Sequence, residues 1–120
     1  MDFAGWLKDG RLLEAYHQSD VYASALLWEG MPIAALEAMA CGLPLVLSRI
    51  MGHEELVEDG VNGYLFEPGD TARLKNILEE LKRDPVRRAA MGEASRRRAL
   101  EHFSWSALAR KRLELYENAV

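Results

Sequence analysis

The sequence predicts an α/β fold, a short parallel sheet of about four strands flanked by helices, with a helical C-terminal third. Three observations predict it. Brief apolar runs at residues 21–24 and 43–48 suit strands buried on both faces. Between them lies a helical stretch, and strand, helix and strand in such close succession make a βαβ unit with parallel strands and a right-handed crossover. Beyond Pro68 the apolar residues recur at helical spacing instead.

Taken in order, residues 1–5 read as the end of a strand, and Trp6 leads into a turn at Asp9-Gly10. Leu12, Leu13 and Tyr16 predict a two-turn helix over residues 11–17, which Ser19-Asp20 ends. The strand at 21–24 runs through Ala25-Leu26-Leu27-Trp28 into a glycine turn at Glu29-Gly30. Pro32 suits a first helical turn, where its missing N–H would lack an intrahelical partner anyway. Gly42 is placed to take the left-handed conformation that closes a helix, and Pro44 cannot continue it. From Ile33 to Cys41 only Glu37 is charged, the signature of a helix buried on most sides.

Residues 49–52 are expected to form a loop, 54–58 a single helical turn and 59–63 a turn cluster rich in Gly, Asn and Asp. Tyr64-Leu65-Phe66 reads as a third core strand. Asp70 or Thr71 caps a helix whose core face is Leu74, Ile77, Leu78 and Leu81. Asp84-Pro85 starts another helix with a thin apolar set, Ala89, Ala90, Met91, Ala94 and Leu100, and an arginine-rich outer face. Ser104 caps a last helix carrying Trp105, Leu108, Leu113 and Tyr116.

A chain of 120 residues, 49% hydrophobic and 28% charged, is expected to form one domain over residues 1–120. Its net charge of −4 is uneven: 3 Lys/Arg stand against 10 Asp/Glu in residues 1–60, and 12 against 9 in residues 61–120. Acidic residues such as Glu79, Glu80 and Glu93 interrupt the basic ones, the pattern of solvated helix faces. The arginines at 87, 88, 96, 97 and 98 have no interleaved aromatic residues, so no nucleic-acid partner is expected. Cys41 is the single cysteine, and no Cys/His spacing suits zinc, so no metal and no disulfide are expected and Cys41 reads as a small packing residue. No apolar run approaches the ~20 residues of a membrane span, and the expected location is cytoplasmic.

In open parallel sheets, ligands bind beyond the carboxyl ends of the strands, where the loop from Ser24 to Pro32 would lie. That loop enters a helix N-terminus, whose free N–H groups and dipole favour anions such as phosphates. Gly30 would let the backbone approach a ligand. A tight strand-to-helix turn with no ligand is an equally good reading of these features alone. Glu29 before the helix and Glu37 inside it could accept hydrogen bonds at different depths of one crevice. Glu29 also suits simple helix-start chemistry. A lone carboxylate in so apolar a helix must reach water or a partner, since burying it unpaired costs several kcal/mol or forces it to protonate.

The E-x7-E pattern from Glu29 to Glu37, with Glu-Gly-Met-Pro and Leu-Glu-Ala-Met-Ala-Cys-Gly-Leu-Pro around it, resembles the donor-site motif of retaining GT-B glycosyltransferases of the "group 1" family. Phe3-x-Gly5, Ser19-Asp20-Val21, Ser24, Gly52-x-Glu54, Glu58-x-Gly60-x-Asn62-Gly63, Asp70, Met91-Gly92 and Phe103-Ser104-Trp105 follow that family's order. The resemblance covers essentially the whole chain. It implies a Rossmann-like three-layer sandwich, part of the C-terminal donor-binding domain of such an enzyme, and binding of a nucleoside diphosphate sugar, UDP- or GDP-linked, as substrate with no cofactor and no metal. By analogy Glu29 contacts the transferred sugar and is the catalytic position. Backbone around Gly30, Met31, Pro32 and Ile33 faces the sugar and diphosphate, and Glu37 accepts from the ribose hydroxyls. The full enzyme would pass a hexosyl group to a glycan or lipid-linked acceptor in cell-envelope polysaccharide synthesis, with peripheral association at the inner face of the membrane.

The chain also departs from the family's pattern. It is expected to be a truncated donor domain, without the strands that carry an Arg/Lys pair on the diphosphate, and Lys8, Arg11 and Arg49 do not stand at those positions. His53 follows Gly52 where the family has a double glycine, and it reads either as a phosphate-facing group or as an ordinary loop histidine. The isolated chain is expected to lack turnover, and an unpaired sheet edge near Phe3 to invite pairing with a second copy or a partner chain. From another class, a noncatalytic interaction module would bind a protein or anionic partner through the arginine-rich helical half.

Overall fold

The computed structural model describes residues 9–28 and 32–103, with side chains from Glu14 onward. The described residues form, in chain order, α1 (Asp9–Gln18), β1 (Tyr22–Ser24), α2 (Ile33–Ala40), β2 (Leu45–Ser48), β3 (Gly63–Phe66), α3 (Thr71–Arg83) and α4 (Pro85–His102). Among the described residues the sheet has three strands in the order β1-β2-β3, all parallel. The expected fourth strand, near residues 1–5, the edge at Phe3 and the last helix after Ser104 lie outside the described residues.

Strand pleating sends alternate side chains to opposite faces, and the register fixes which. Tyr22 pairs with Leu45 and Leu47 with Leu65. These residues share a face with Ala35, Leu36, Ala38 and Met39 of α2, and Tyr16 of α1 packs against the same cluster. Val46, paired with Tyr64, points the other way, into a cluster with Phe66 and with Ile77 and Leu81 of α3. Helices thus cover both faces of the sheet, the Rossmann-like three-layer arrangement. Helix α4 joins the layers, giving Ala99 to one cluster and Met91 to the other.

Helix α2 ends as its glycine predicts. Gly42 has φ +80°, its N–H donates to Met39 O at 3.0 Å, and the N–H of Leu43 donates to Ala38 O at 3.1 Å. These two bonds make a Schellman closure, which satisfies carbonyls the helix would otherwise leave open. Asp70 caps α3 by accepting from the Arg73 N–H at 3.0 Å, and Asp84 caps α4 by accepting from the Arg87 N–H at 3.0 Å.

Three expectations are corrected. The single turn expected at 54–58 lies over residues 50–56, where the N–H groups of His53 and Glu54 both donate to Ile50 O. Leu78 is exposed, so the core face of α3 is Ile77 and Leu81 with Leu74 half-buried. On α4, Ala89, Ala90 and Leu100 are exposed, and the buried stripe is Met91, Gly92, Ser95 and Ala99. Close approach, not hydrophobicity, selects that stripe: a Cβ on Gly92 would lie 2.2 Å from Gly42 O.

Candidate glycosyl-donor site

The carboxyl ends of β1 and β2 open on the loop that enters α2. Ser48, the last residue of β2, is fully buried, and its hydroxyl donates to Leu26 O at 2.6 Å, tying the loop back to the sheet. His53 is buried behind it, with Nδ1 2.9 Å from Ser48 O. A carbonyl can only accept, so Nδ1 carries the proton and His53 latches the end of β2. Of its two sequence readings, the structure favours a structural role over a phosphate-facing one. Past Leu26, the side chains of Leu27 and Trp28 are 77% and 81% exposed.

Glu29, Gly30 and Met31 lie outside the described residues. Pro32 occupies the N-cap of α2 with φ −80° and ψ 62° and offers no side-chain hydrogen bond. Its carbonyl accepts from the Leu36 N–H at 3.0 Å. The N–H groups of Ile33, Ala34 and Ala35 fall in the first helical turn, which has no intrahelical acceptor for them. An uncapped helix start of this kind presents donors and a positive dipole end to an anion.

Glu37 lies one turn further along α2 and is half-buried. The Tyr16 hydroxyl donates to its Oε2 at 3.1 Å, and Ala34 O lies 3.3 Å from the same hydroxyl. One O–H proton serves one acceptor best, and the shorter contact to a charged oxygen is the stronger. Burial first, then the Glu37 charge and this hydrogen bond, raise the Tyr16 phenol well above its ordinary value, so it remains a donor. Among the described residues Oε1 of Glu37 has no hydrogen-bond partner. The lone carboxylate of α2 thus has both the partner and the water access that its position demanded.

Cys41, four residues after Glu37, is half-buried and reduced. Burial pushes its thiol up, Glu37 adds to the rise and Arg96 opposes it. A thiol held protonated is a poor nucleophile, in keeping with its packing role. Most of the arginines of α4 have work within the fold. Arg88 donates to Leu81 O and Lys82 O at the end of α3, and Arg98 donates to Glu55 O at 2.7 Å. Arg97 pairs with Glu93, and Arg87 stacks on Tyr64.

Sequence reasoning singled out Pro32, Ile33 and Glu37, and these stand together at the start and middle of α2. It missed Tyr16, read only as one apolar position of α1, and Ser48, read only as a strand residue. No local signal joins Tyr16 to a carboxylate 21 positions later. Tertiary packing alone does so.

Comparison with known proteins gives this geometry a family. The model of the family described as glycosyl transferases group 1 matches residues 1–98. The chain is 33% identical to an alpha-maltose-1-phosphate synthase of Mycobacterium tuberculosis, over 92% of this chain and 31% of that protein. Among solved structures it resembles a sucrose-phosphate synthase from Thermosynechococcus elongatus, at 29% identity and a TM-score of 0.86 over 98% of this chain and 30% of that one. It also resembles Anabaena HepE in complex with UDP-glucose, at 28% identity and a TM-score of 0.77 over 92% and 30%. The chain therefore spans about a third of the length of these relatives. The chain belongs to the group 1 glycosyltransferases.

Proposed function

We propose that the chain forms the donor side of a retaining, metal-independent glycosyltransferase that uses a nucleoside diphosphate sugar in the cytoplasm. In that reaction the bond from the anomeric carbon to the diphosphate breaks, and a bond forms to a hydroxyl of a glycan or lipid-linked acceptor. The hydroxyl proton leaves, and the nucleoside diphosphate departs with the negative charge. On this reading Glu29 meets the transferred sugar. Gly30, Met31 and Ile33 turn backbone N–H groups toward the sugar and diphosphate, while Pro32, which has none, sets the entry angle. Glu37 accepts from the ribose hydroxyls.

One observation carries the reading. The only charge in α2 is a half-buried carboxylate with one oxygen held by Tyr16 and the other without a protein partner among the described residues, one turn behind an uncapped helix start. A diphosphate at the helix start and a vicinal diol at Glu37 would satisfy both. The complex of a relative with UDP-glucose supports the choice of ligand class. As a 120-residue chain, about a third of its relatives' length, it is proposed to bind the donor without turnover.

Calorimetric titration of the chain with UDP-, GDP- and ADP-glucose tests this. A charged hydrogen bond contributes about 1.5–3 kcal/mol, so Glu37→Ala should weaken binding of the preferred nucleotide sugar by at least about tenfold. Absence of saturable binding, or binding indifferent to E37A, would refute the donor assignment. Sugar transfer by the purified chain would refute the absence of turnover.

A further inference from the structure

Among the described side chains of helix α1, Tyr16 reaches the candidate site. Tyr16 sits two residues before its end, with its ring against the core cluster under α2 and its hydroxyl on Glu37 Oε2. A ring packed against a core has reduced freedom, which keeps its hydroxyl close to one place. A half-buried glutamate has three side-chain torsions, and without a restraint its carboxylate samples several orientations. The hydroxyl removes that freedom by occupying one oxygen, and among the described residues the other has no partner. The Tyr16 hydroxyl also reaches Ala34 O in the first turn of α2, so the same group spans the backbone of the helix start and the carboxylate behind it.

We propose that Tyr16 is a positioning residue for the donor's ribose: it holds Glu37 Oε2 so that Oε1 meets the 2′,3′-diol. The inference rests on the donor-site reading above and adds a residue from a different element to it. Tyr16 touches no substrate atom itself. Its effect is to pre-order the acceptor, so its removal should penalise the ribose hydroxyls selectively and leave the diphosphate interaction at the helix start unchanged. A merely structural tyrosine would weaken every nucleotide alike.

The test pairs Tyr16→Phe, which keeps the ring and its packing, with removal of the ribose hydroxyls. The 120-residue chain is titrated with UDP, GDP and ADP, and the one that binds is compared with its 2′,3′-dideoxy counterpart. In the wild-type chain the dideoxy form should bind about tenfold or more weakly, the loss expected for hydrogen bonds to a charged group. In Y16F that penalty should shrink to about threefold or less, while affinity for the dideoxy form stays within about twofold of wild type. In the Glu37→Ala background Y16F should have no further effect on either ligand. A full dideoxy penalty in Y16F overturns this inference and leaves the donor reading standing, as does an equal loss for both ligands. A wild-type chain that binds none of the three diphosphates overturns the donor reading and this inference together.

Discussion

Gly92→Ala tests the packing that fixes the site helix. A Cβ at this position would lie 2.2 Å from Gly42 O, far inside the ~3.5 Å at which non-bonded contacts become favourable. The carbonyl cannot swing away, because Gly42 sits at φ +80° with its N–H donated to Met39 O and the Leu43 N–H donated to Ala38 O. Relief therefore requires α4 to move off α2 by roughly 1 Å, loosening the buried contacts of Ser95 and Ala99. Overpacking of this kind costs typically 1–3 kcal/mol, and a clash with backbone belongs at about the upper end. Alanine returns about 1 kcal/mol through its better helix propensity. The net expectation is about 2 kcal/mol of destabilisation, which lowers the melting temperature by roughly 8 °C for a chain of this size. Thermal unfolding followed by far-UV circular dichroism measures it. A G92A melting temperature equal to or above that of the wild-type chain would show that propensity outweighs the contact and that α4 does not clamp α2.

His53→Ala should cost about 2–3 kcal/mol, because it empties a buried site and removes one of two donors to the Ser48 carbonyl, the Ile50 N–H being the other; urea unfolding would show the midpoint shift, and an unchanged midpoint would refute the latch. Stability should also fall at alkaline pH. Tyr16 and Cys41 both hold their protons more tightly folded than unfolded, so their contribution is complete below the unfolded values, near 9 for the thiol and 10 for the phenol, and is lost as pH rises above them. Substituting both, as Y16F with Cys41→Ala, should flatten the pH dependence of the melting temperature between about pH 9 and about pH 11, and an unchanged slope would show that neither proton is coupled to folding.

Much of the fold could be read from local patterns. The βαβ order, the Gly42 closure and the helix start at Asp84-Pro85 depend on residues within a few positions of each other, and each stands as expected. Asp70, one of two capping residues considered, is the one that caps α3. The inner face of α4 was misread because apolar character was used to find it. Its buried positions include Gly92 and Ser95, chosen for size and for a hydrogen bond from Ser95 Oγ to Asn62 O at 3.1 Å. Hydropathy carries no record of a backbone carbonyl approaching from another helix. Glu37 was legible because a lone charge in an apolar helix contradicts its surroundings. Tyr16 was not, because an aromatic residue on an amphipathic helix contradicts nothing.

The burial pattern of α2 sharpens what that contradiction means. Ala35, Leu36, Ala38 and Met39 are buried, Ala34 is exposed, and Ile33, Glu37 and Ala40 are half-buried. The helix is therefore two-sided in geometry although it is almost uniformly apolar in composition. An ordinary surface stripe would be enriched in Lys, Glu or Gln, which cost nothing in solvent and favour the helix. Here the outward stripe has one carboxylate, restrained by a tyrosine from a neighbouring helix. Solubility does not require the restraint, and stability gains little from a half-exposed pair, which solvent screens and which freezes two side chains. A stripe that presents one ordered acceptor on an otherwise featureless surface suits a ligand that covers it and supplies the missing donors. On the donor reading proposed above, the vicinal hydroxyls of a ribose supply those donors, and the diphosphate attached to them takes the uncapped start of the same helix one turn away.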